Sequence, residues 1–369
     1  MGDYSGVTIA LLVGQSAWLV LYLASVFPIL STAPCLLGYA SYISLLFLFT
    51  KILPPKKKNE NPEKCKRGGL YYVCCLFTWC TVTDLIFYLE VIGMVDGFIG
   101  FYLKNGEPYL DSSFGTVALL WDPLGNLIVY LIIIYRIDNN LDCRNAVLYF
   151  SGTLITSLFC LLVGGVSGTH GKQLYPSTWL NVPYVVAPIY YLLEFVSKPR
   201  QFSKETITKV STEYKISDIL LSLGLFATFV FGIIRGLSAF GSPMYLANVY
   251  SKDFEPYLMD PSKFGAVWVI YFMIIGSILQ ISIVFGLFNP GSSWVLDLSI
   301  IYAAITIHGT FIHLIPQFCE GVLPKYHIPP GAQWLVVLGN LFIPIVAVSV
   351  VIRCFKEQSY FKSPDHKQE

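Results

Sequence analysis

The chain has 369 residues, of which 55% are hydrophobic and only 13% charged, with a formal net charge of +1. A soluble globular domain carries about 25% charged residues, so this composition, with a mean hydropathy of +0.62, excludes that class. The near-neutral balance offers nothing that would draw nucleic acid or a strongly acidic partner.

A membrane-spanning helix takes about 20 mostly apolar residues. That rule predicts an all-α polytopic membrane protein with ten transmembrane helices, over 7–29, 34–54, 70–95, 114–135, 145–167, 179–197, 218–240, 264–288, 295–316 and 331–354. The N-terminus lacks the basic n-region of a cleaved signal, so the first run reads as a retained span. It is joined to the second by Ser31-Thr32-Ala33-Pro34, which predicts a tight helical hairpin. The cysteines do not form a disulfide framework. Cys74, Cys75, Cys80 and Cys160 sit in apolar runs and read as small buried hydrophobes. Cys35 and Cys319 could face one compartment, but nothing in the sequence pairs them.

Basic residues crowd one side of this layout. Lys51 to Arg67 follow the second span, Arg136 and Arg144 the fourth, Lys198 to Lys215 the sixth, and Arg353 to Lys367 the tenth. The positive-inside bias then puts both termini in the cytoplasm. The run from Lys56 to Arg67 reads as a solvated topology signal.

Two loops on the opposite side carry the same tetrapeptide, Glu107-Pro108-Tyr109-Leu110 and Glu255-Pro256-Tyr257-Leu258. Each precedes a span that opens on Phe-Gly. Asn181-Val182-Pro183 is echoed by Asn340-Leu341-Phe342-Ile343-Pro344. Spans three to six and seven to ten therefore read as two parallel four-helix repeats. The expected organisation is a hairpin with its basic loop over 1–60, a first repeat over 61–200, a second over 217–355, and a cytoplasmic tail over 356–369.

Acids inside apolar runs are costly, and each is a functional-site hypothesis. At a rise of about 1.5 Å per residue, Asp84 lies about 16 Å and Asp122 about 12 Å from the loop side, so the two can meet on neighbouring helices. Glu90 is shallower and on another face. Tyr88 shares the face of Asp84. Pro123 removes a backbone donor within its helix and opens a kink beside Trp121 and Asp122. An acid among aromatic faces suits an apolar ligand with one polar or cationic centre. The competing reading is structural, with Asp84 and Asp122 bonded to Thr81, Thr83, Asn126 or Tyr130. Glu107 and Glu255 precede prolines and so take extended, turn-like backbone; the plain expectation is that they order their loops.

The second repeat holds no comparable acids. Arg235 is expected to reach the surface or to pair with Glu255. His308 and His313 do not share a helical face, so no metal site is expected, and no cofactor is implied. Asp218 and Asp297 read as helix caps, and Glu194 can pair with Lys198.

Val95-Asp96-Gly97-Phe98, the two EPYL loops, Trp121-Asp122 and Arg235-Gly236-Leu237 together resemble the transmembrane 6 superfamily over essentially the whole chain. The resemblance implies two tandem EXPERA domains after a helical hairpin. Such domains occur in emopamil-binding sterol isomerase and in the sigma-2 receptor, where helices enclose an apolar cavity open to lipid. It implies acid–base proton transfer by Asp84, Glu90 and Asp122, and ligand contacts from Tyr88, Trp121, Glu107 and Tyr184. The isomerase pattern is matched only in part, and the second repeat lacks it.

The resemblance also implies a role in lipid metabolism, touching triglyceride secretion and lipid-droplet content. The expected partners are a sterol or other lipid, the bilayer and proteins of lipid metabolism. The expected site is the endoplasmic reticulum membrane, with the lysosomal membrane as the alternative. A non-enzymatic scaffold or chaperone for lipoprotein assembly and lipid export is the second reading.

Overall fold

The computed structural model describes residues 2–27, 30, 32–55, 67–173, 175–200 and 215–362. Most of the basic run at Lys56–Lys66, with Lys204, Lys209 and Lys367, lies outside the described residues, as does the tail beyond Lys362. Among the described residues all regular structure is helical. Ten helices are long and apolar enough to cross a membrane: Ser5–Val26, Pro34–Ile52, Gly69–Val91, Ser113–Asp138, Arg144–Ser167, Pro176–Val196, Ile216–Ala239, Phe264–Phe288, Val295–Phe318 and Gln333–Lys356. They are called the first to tenth spans below. Most are apolar on every face, as expected of helices solvated by lipid on one side and by protein on the other.

The ends differ from the expectation by a few residues. The largest difference is at the third span, expected to reach residue 95. Gly93 ends it early by taking φ +75, a left-handed cap that glycine adopts without strain. The amide of Gly93 donates to the Glu90 carbonyl, and that of Met94 to Leu89.

The chain groups into two compact units, Met1–Phe150 with His170–Tyr191, and Ser151–Thr169 with Leu192–Glu369. The fifth span contributes to both, so this grouping and the sequence repeat are different partitions. In the first unit the third span is the central helix, with fourteen buried residues from Leu70 to Phe87. In the second the ninth span is central, buried along almost its whole length.

Some local structure recurs along the chain. Gly241 closes the seventh span at φ +69 with the same two backbone bonds as at Gly93, from its own amide to Ser238 and from the Ser242 amide to Leu237. Both EPYL tetrapeptides form 3₁₀ turns, Pro108–Asp111 and Pro256–Met259. Glu107 and Glu255 precede them at nearly identical backbone angles, φ −131 ψ 78 and φ −125 ψ 72. The next span lies hard against each turn at a glycine. A Cβ on Gly115 would stand 2.5 Å from the Tyr109 carbonyl, and one on Gly265 would stand 2.6 Å from the Tyr257 ring.

The fourth and eighth spans each widen into a π-turn, at Asp122–Asn126 and Phe272–Gly276. Pro123 explains the first. The second has no proline, so a span of this chain widens without one.

Buried ion pairs tie helix ends. In the first unit Arg67 Nε donates to Asp138 at 2.6 Å, and the Tyr71 hydroxyl joins at 3.0 Å. In the second, Arg353 forks onto Asp218 at 2.6 and 2.9 Å. Asp218 also accepts from the Lys215 amide, so it caps its helix as expected and takes a charge partner besides. Asp297 pairs with Arg200. Lys198 reaches Glu194 at 2.7 Å. The tail begins as packed structure: Tyr360 and Phe361 are buried, and their rings cover the Arg353 guanidinium. Cys35 and Cys319 are both free thiols. Cys74, Cys75, Cys80 and Cys160 are free and buried, whereas Cys143 is disulfide-bonded; the expectation that the cysteines make no disulfide framework does not anticipate that bond.

Candidate functional site

The third span brings Asp84 toward the fourth, whose π-turn opens on Asp122. The two carboxyl groups face each other within hydrogen-bonding reach. Such a contact needs a proton on one of the two oxygens that meet, because an ionised carboxylate only accepts. Asn126, one turn along, donates its amide to Asp122 and accepts from the Trp121 indole at 3.3 Å. The indole itself is packed over Gly125, where a Cβ would stand 2.6 Å from the ring. The π-turn therefore fixes acid, amide and indole as one piece.

Phenols surround this pair. The Cys80 thiol lies between Tyr42 of the second span and Tyr184 of the sixth, within hydrogen-bonding reach of both. Tyr184 stacks on Phe77 at 4.3 Å, nearly parallel. Tyr130 packs against Phe77 and Phe150, 5.7 Å from each ring. Asp84, Asp122, Tyr42 and Tyr184 keep some accessible surface, while Trp121 and Tyr130 are buried. The arrangement is a polar pair in an aromatic crevice.

The other residues singled out from the sequence fall in three places. Tyr88 is half-buried one turn along from Asp84. Glu90 is engaged elsewhere: it accepts from the amides of Phe98 at 2.7 Å and Ile99 at 3.0 Å, and so orders the loop after the third span. Glu107 accepts from the Tyr102 hydroxyl at 2.8 Å, from the Asn181 amide at 2.6 Å and from Tyr109. Burial pushes its carboxyl above the usual glutamate range, and these three donors only partly offset that. Tyr42 and Cys80 carry no motif. Only the packing of the second span on the third reveals them.

The second unit builds the same positions from other residues. Glu255 again accepts from the equivalent asparagine, Asn340, at 2.8 Å. The Tyr250 phenol lies beside it, as Tyr102 lies beside Glu107, without completing a well-formed bond. Here Arg235 is added at 2.9 Å and His313 at 3.4 Å. Arg235 does not reach the surface. It is fully buried, as is Glu255. Burial alone would raise the Glu255 carboxyl, but Arg235, His313 and Asn340 hold it well below the usual range. The acid pair has no counterpart there. Gly232 stands as far before Gly241 as Asp84 before Gly93, and Phe272 opens the π-turn where Asp122 opens the other. The Phe272 ring fills the place against Gly232.

Fold and site together define a multi-pass, all-helical membrane protein with an acid pair in an aromatic crevice. The chain belongs to the transmembrane 6 superfamily member 2-like family, whose transmembrane-domain model matches residues 16–206. Human transmembrane 6 superfamily member 2 is 27% identical over 331 residues, covering 88% of this chain and 86% of the human one. The mouse protein of that name is 25% identical over 328 residues, covering 87% and 85%. No solved structure matches the chain.

Proposed function

We propose that the chain binds a sterol or related lipid in the first unit, and that Asp84 and Asp122 serve it by acid–base proton transfer. The observation that carries this reading is the contact between the two carboxyl groups inside a ring of aromatic side chains. A pair holding one proton can give it to a ligand double bond, leaving a carbocation. The other carboxylate then takes a proton from the adjacent carbon, so the pair regains what it gave and the double bond has moved. The faces of Trp121 and Tyr184 suit the cationic intermediate. The resemblance to EXPERA proteins supports the same reading. On it, the chain acts in lipid metabolism in the endoplasmic reticulum membrane, with both termini cytoplasmic, and influences triglyceride secretion and lipid-droplet content.

The test is mass spectrometry of lipids co-purifying with the protein, paired with an isomerase assay on sterol precursors. Wild type is expected to carry a sterol-class lipid and to turn over. Asp122→Asn is expected to express normally and lose turnover. An unchanged sterol-binding isotherm and unchanged isomerase activity in that variant would sink the assignment.

One observation favours a second, non-enzymatic reading, a scaffold or chaperone in lipid export. The EPYL turns are built alike in both units although only one unit has the acid pair. On that reading the loops capture a protein partner, and exchanging their sequences abolishes capture. Capture that survives the exchange counts against it.

A further inference from the structure

The second span stands outside the repeat, yet it supplies Tyr42 to the acid site. We propose that this span is the bilayer-side wall of the site, and that lipid enters and leaves when Tyr42 parts from Cys80. The inference rests on the ligand site proposed above and concerns the route into it.

The span is a lightly held wall. Its buried residues are Leu45 and Phe49, whereas Leu36 is 72%, Ile43 68% and Phe47 64% exposed. Near one end Gly38 lies against Leu180, where a Cβ would stand 2.5 Å away, and the Tyr39 hydroxyl donates to the Trp179 carbonyl at 2.6 Å. At the other end the Tyr72 hydroxyl donates to the Leu53 carbonyl at 2.8 Å. Between them Tyr42 meets Cys80 and lies close to Asp84. The third span, by contrast, is packed on most of its surface.

Swinging such a helix outward in a bilayer exchanges apolar protein contacts for apolar lipid contacts, which are nearly equivalent. What must be given up is chiefly the two neutral hydrogen bonds just named, and the approach of a phenol to a thiol, a weak donor and acceptor, adds little. An opening on this side meets acyl chains and not water. It would therefore admit a molecule already dissolved in the membrane, with an apolar body and one polar centre.

The test uses full-length protein with Gly38→Cys and Leu180→Cys in a Cys35→Ser background, reconstituted in phosphatidylcholine vesicles holding a photoreactive cholesterol analogue. The cross-link is verified by mass spectrometry before labelling. Oxidised protein is expected to label at least 10-fold more slowly than the same protein reduced, and to retain probe loaded before oxidation. Equal rates in the two states would overturn the gate. Tyr42→Phe keeps the ring and drops the hydroxyl. It is expected to label several-fold faster than wild type, and an unchanged rate would remove Tyr42 as the latch. Wild type that never labels would overturn the sterol site itself and this inference with it, whereas wild type that labels while the lock does nothing overturns the inference alone.

Discussion

Phe272 lies against Gly232 in the second unit, where a Cβ on the glycine would stand 3.0 Å from the ring. In the first unit the corresponding positions are Asp122 and Asp84, with their carboxyl groups in contact. One framework thus carries two fillings. The first places a costly polar pair where the second places an aromatic ring on a residue with no side chain. Both keep the EPYL turn, the asparagine that reaches its glutamate and the π-turn, which are the parts that shape the bundle.

Gly232→Ala should therefore destabilise the protein without touching the acid site. The added methyl must displace a fully buried ring, and overpacking of this kind costs about 1–3 kcal/mol. The measurement is the thermal unfolding midpoint in detergent beside sterol photolabelling. A lower midpoint with normal labelling is expected. A normal midpoint would show that the ring has room to move.

Asn126 is the residue through which the π-turn orients Asp122. Asn126→Ala removes both the amide donated to Asp122 and the acceptor of the Trp121 indole, and the loss of a buried polar partner costs about 1–3 kcal/mol. Sterol affinity should fall about tenfold or more, in step with Asp122→Asn. Asn126→Ala with wild-type affinity would show that Asp122 is placed by other contacts.

Much of the fold was legible because a bilayer demands long apolar runs, and length alone finds those. Depth counting brought Asp84 and Asp122 to similar levels, and the structure joins them. What escaped depended on contacts distant in sequence. His313 and Asn340 reach Glu255 across 58 and 85 residues, and Tyr42 meets Cys80 through a helix with no motif. Glu90 lies in the last turn of the third span, a position from which apolar runs alone do not show what its carboxylate meets. Its carboxylate serves the loop that begins once Gly93 ends the span. Pro123 marked the fourth span as kinked, yet the eighth span widens in the same way without a proline.

Arg353 binds the start of the C-terminal segment into the second unit. Its guanidinium forks onto Asp218 and lies over both Tyr360 and Phe361, 5.3 and 5.4 Å from their centroids. A lysine keeps the charge but not the planar fork or the stacking. Arg353→Lys is therefore expected to lower stability by about 1–3 kcal/mol and to expose the peptide bonds near Tyr360 to protease. Resistance equal to wild type would show that charge alone holds the segment.

Glu107 and Glu255 occupy equivalent turns but should give stability opposite dependences on pH. Glu255 is held below the ordinary glutamate value of 4.5. Its contribution is therefore full above that pH and is lost as the pH falls toward its depressed value. Glu107 is held above 4.5, so its contribution is full below that pH and is lost as the pH rises through its raised value. The partners differ accordingly. Phenols and an amide face Glu107. Arg235, His313 and Tyr250 face Glu255, and Glu255→Gln would leave Arg235 buried and unpaired, a loss of about 3–5 kcal/mol at neutral pH. Replacing both members, Arg235→Met with Glu255→Gln, should recover much of it, because an absent pair costs less than half of one. Chemical unfolding of wild type, Glu107→Gln and Glu255→Gln between pH 4 and pH 8 reads all of this, with His313 left in place throughout. The deficit of Glu255→Gln relative to wild type should shrink toward acid, and any deficit of Glu107→Gln should shrink toward alkali. Parallel curves for the two variants would show that the added arginine and histidine do not set the charge state of this loop.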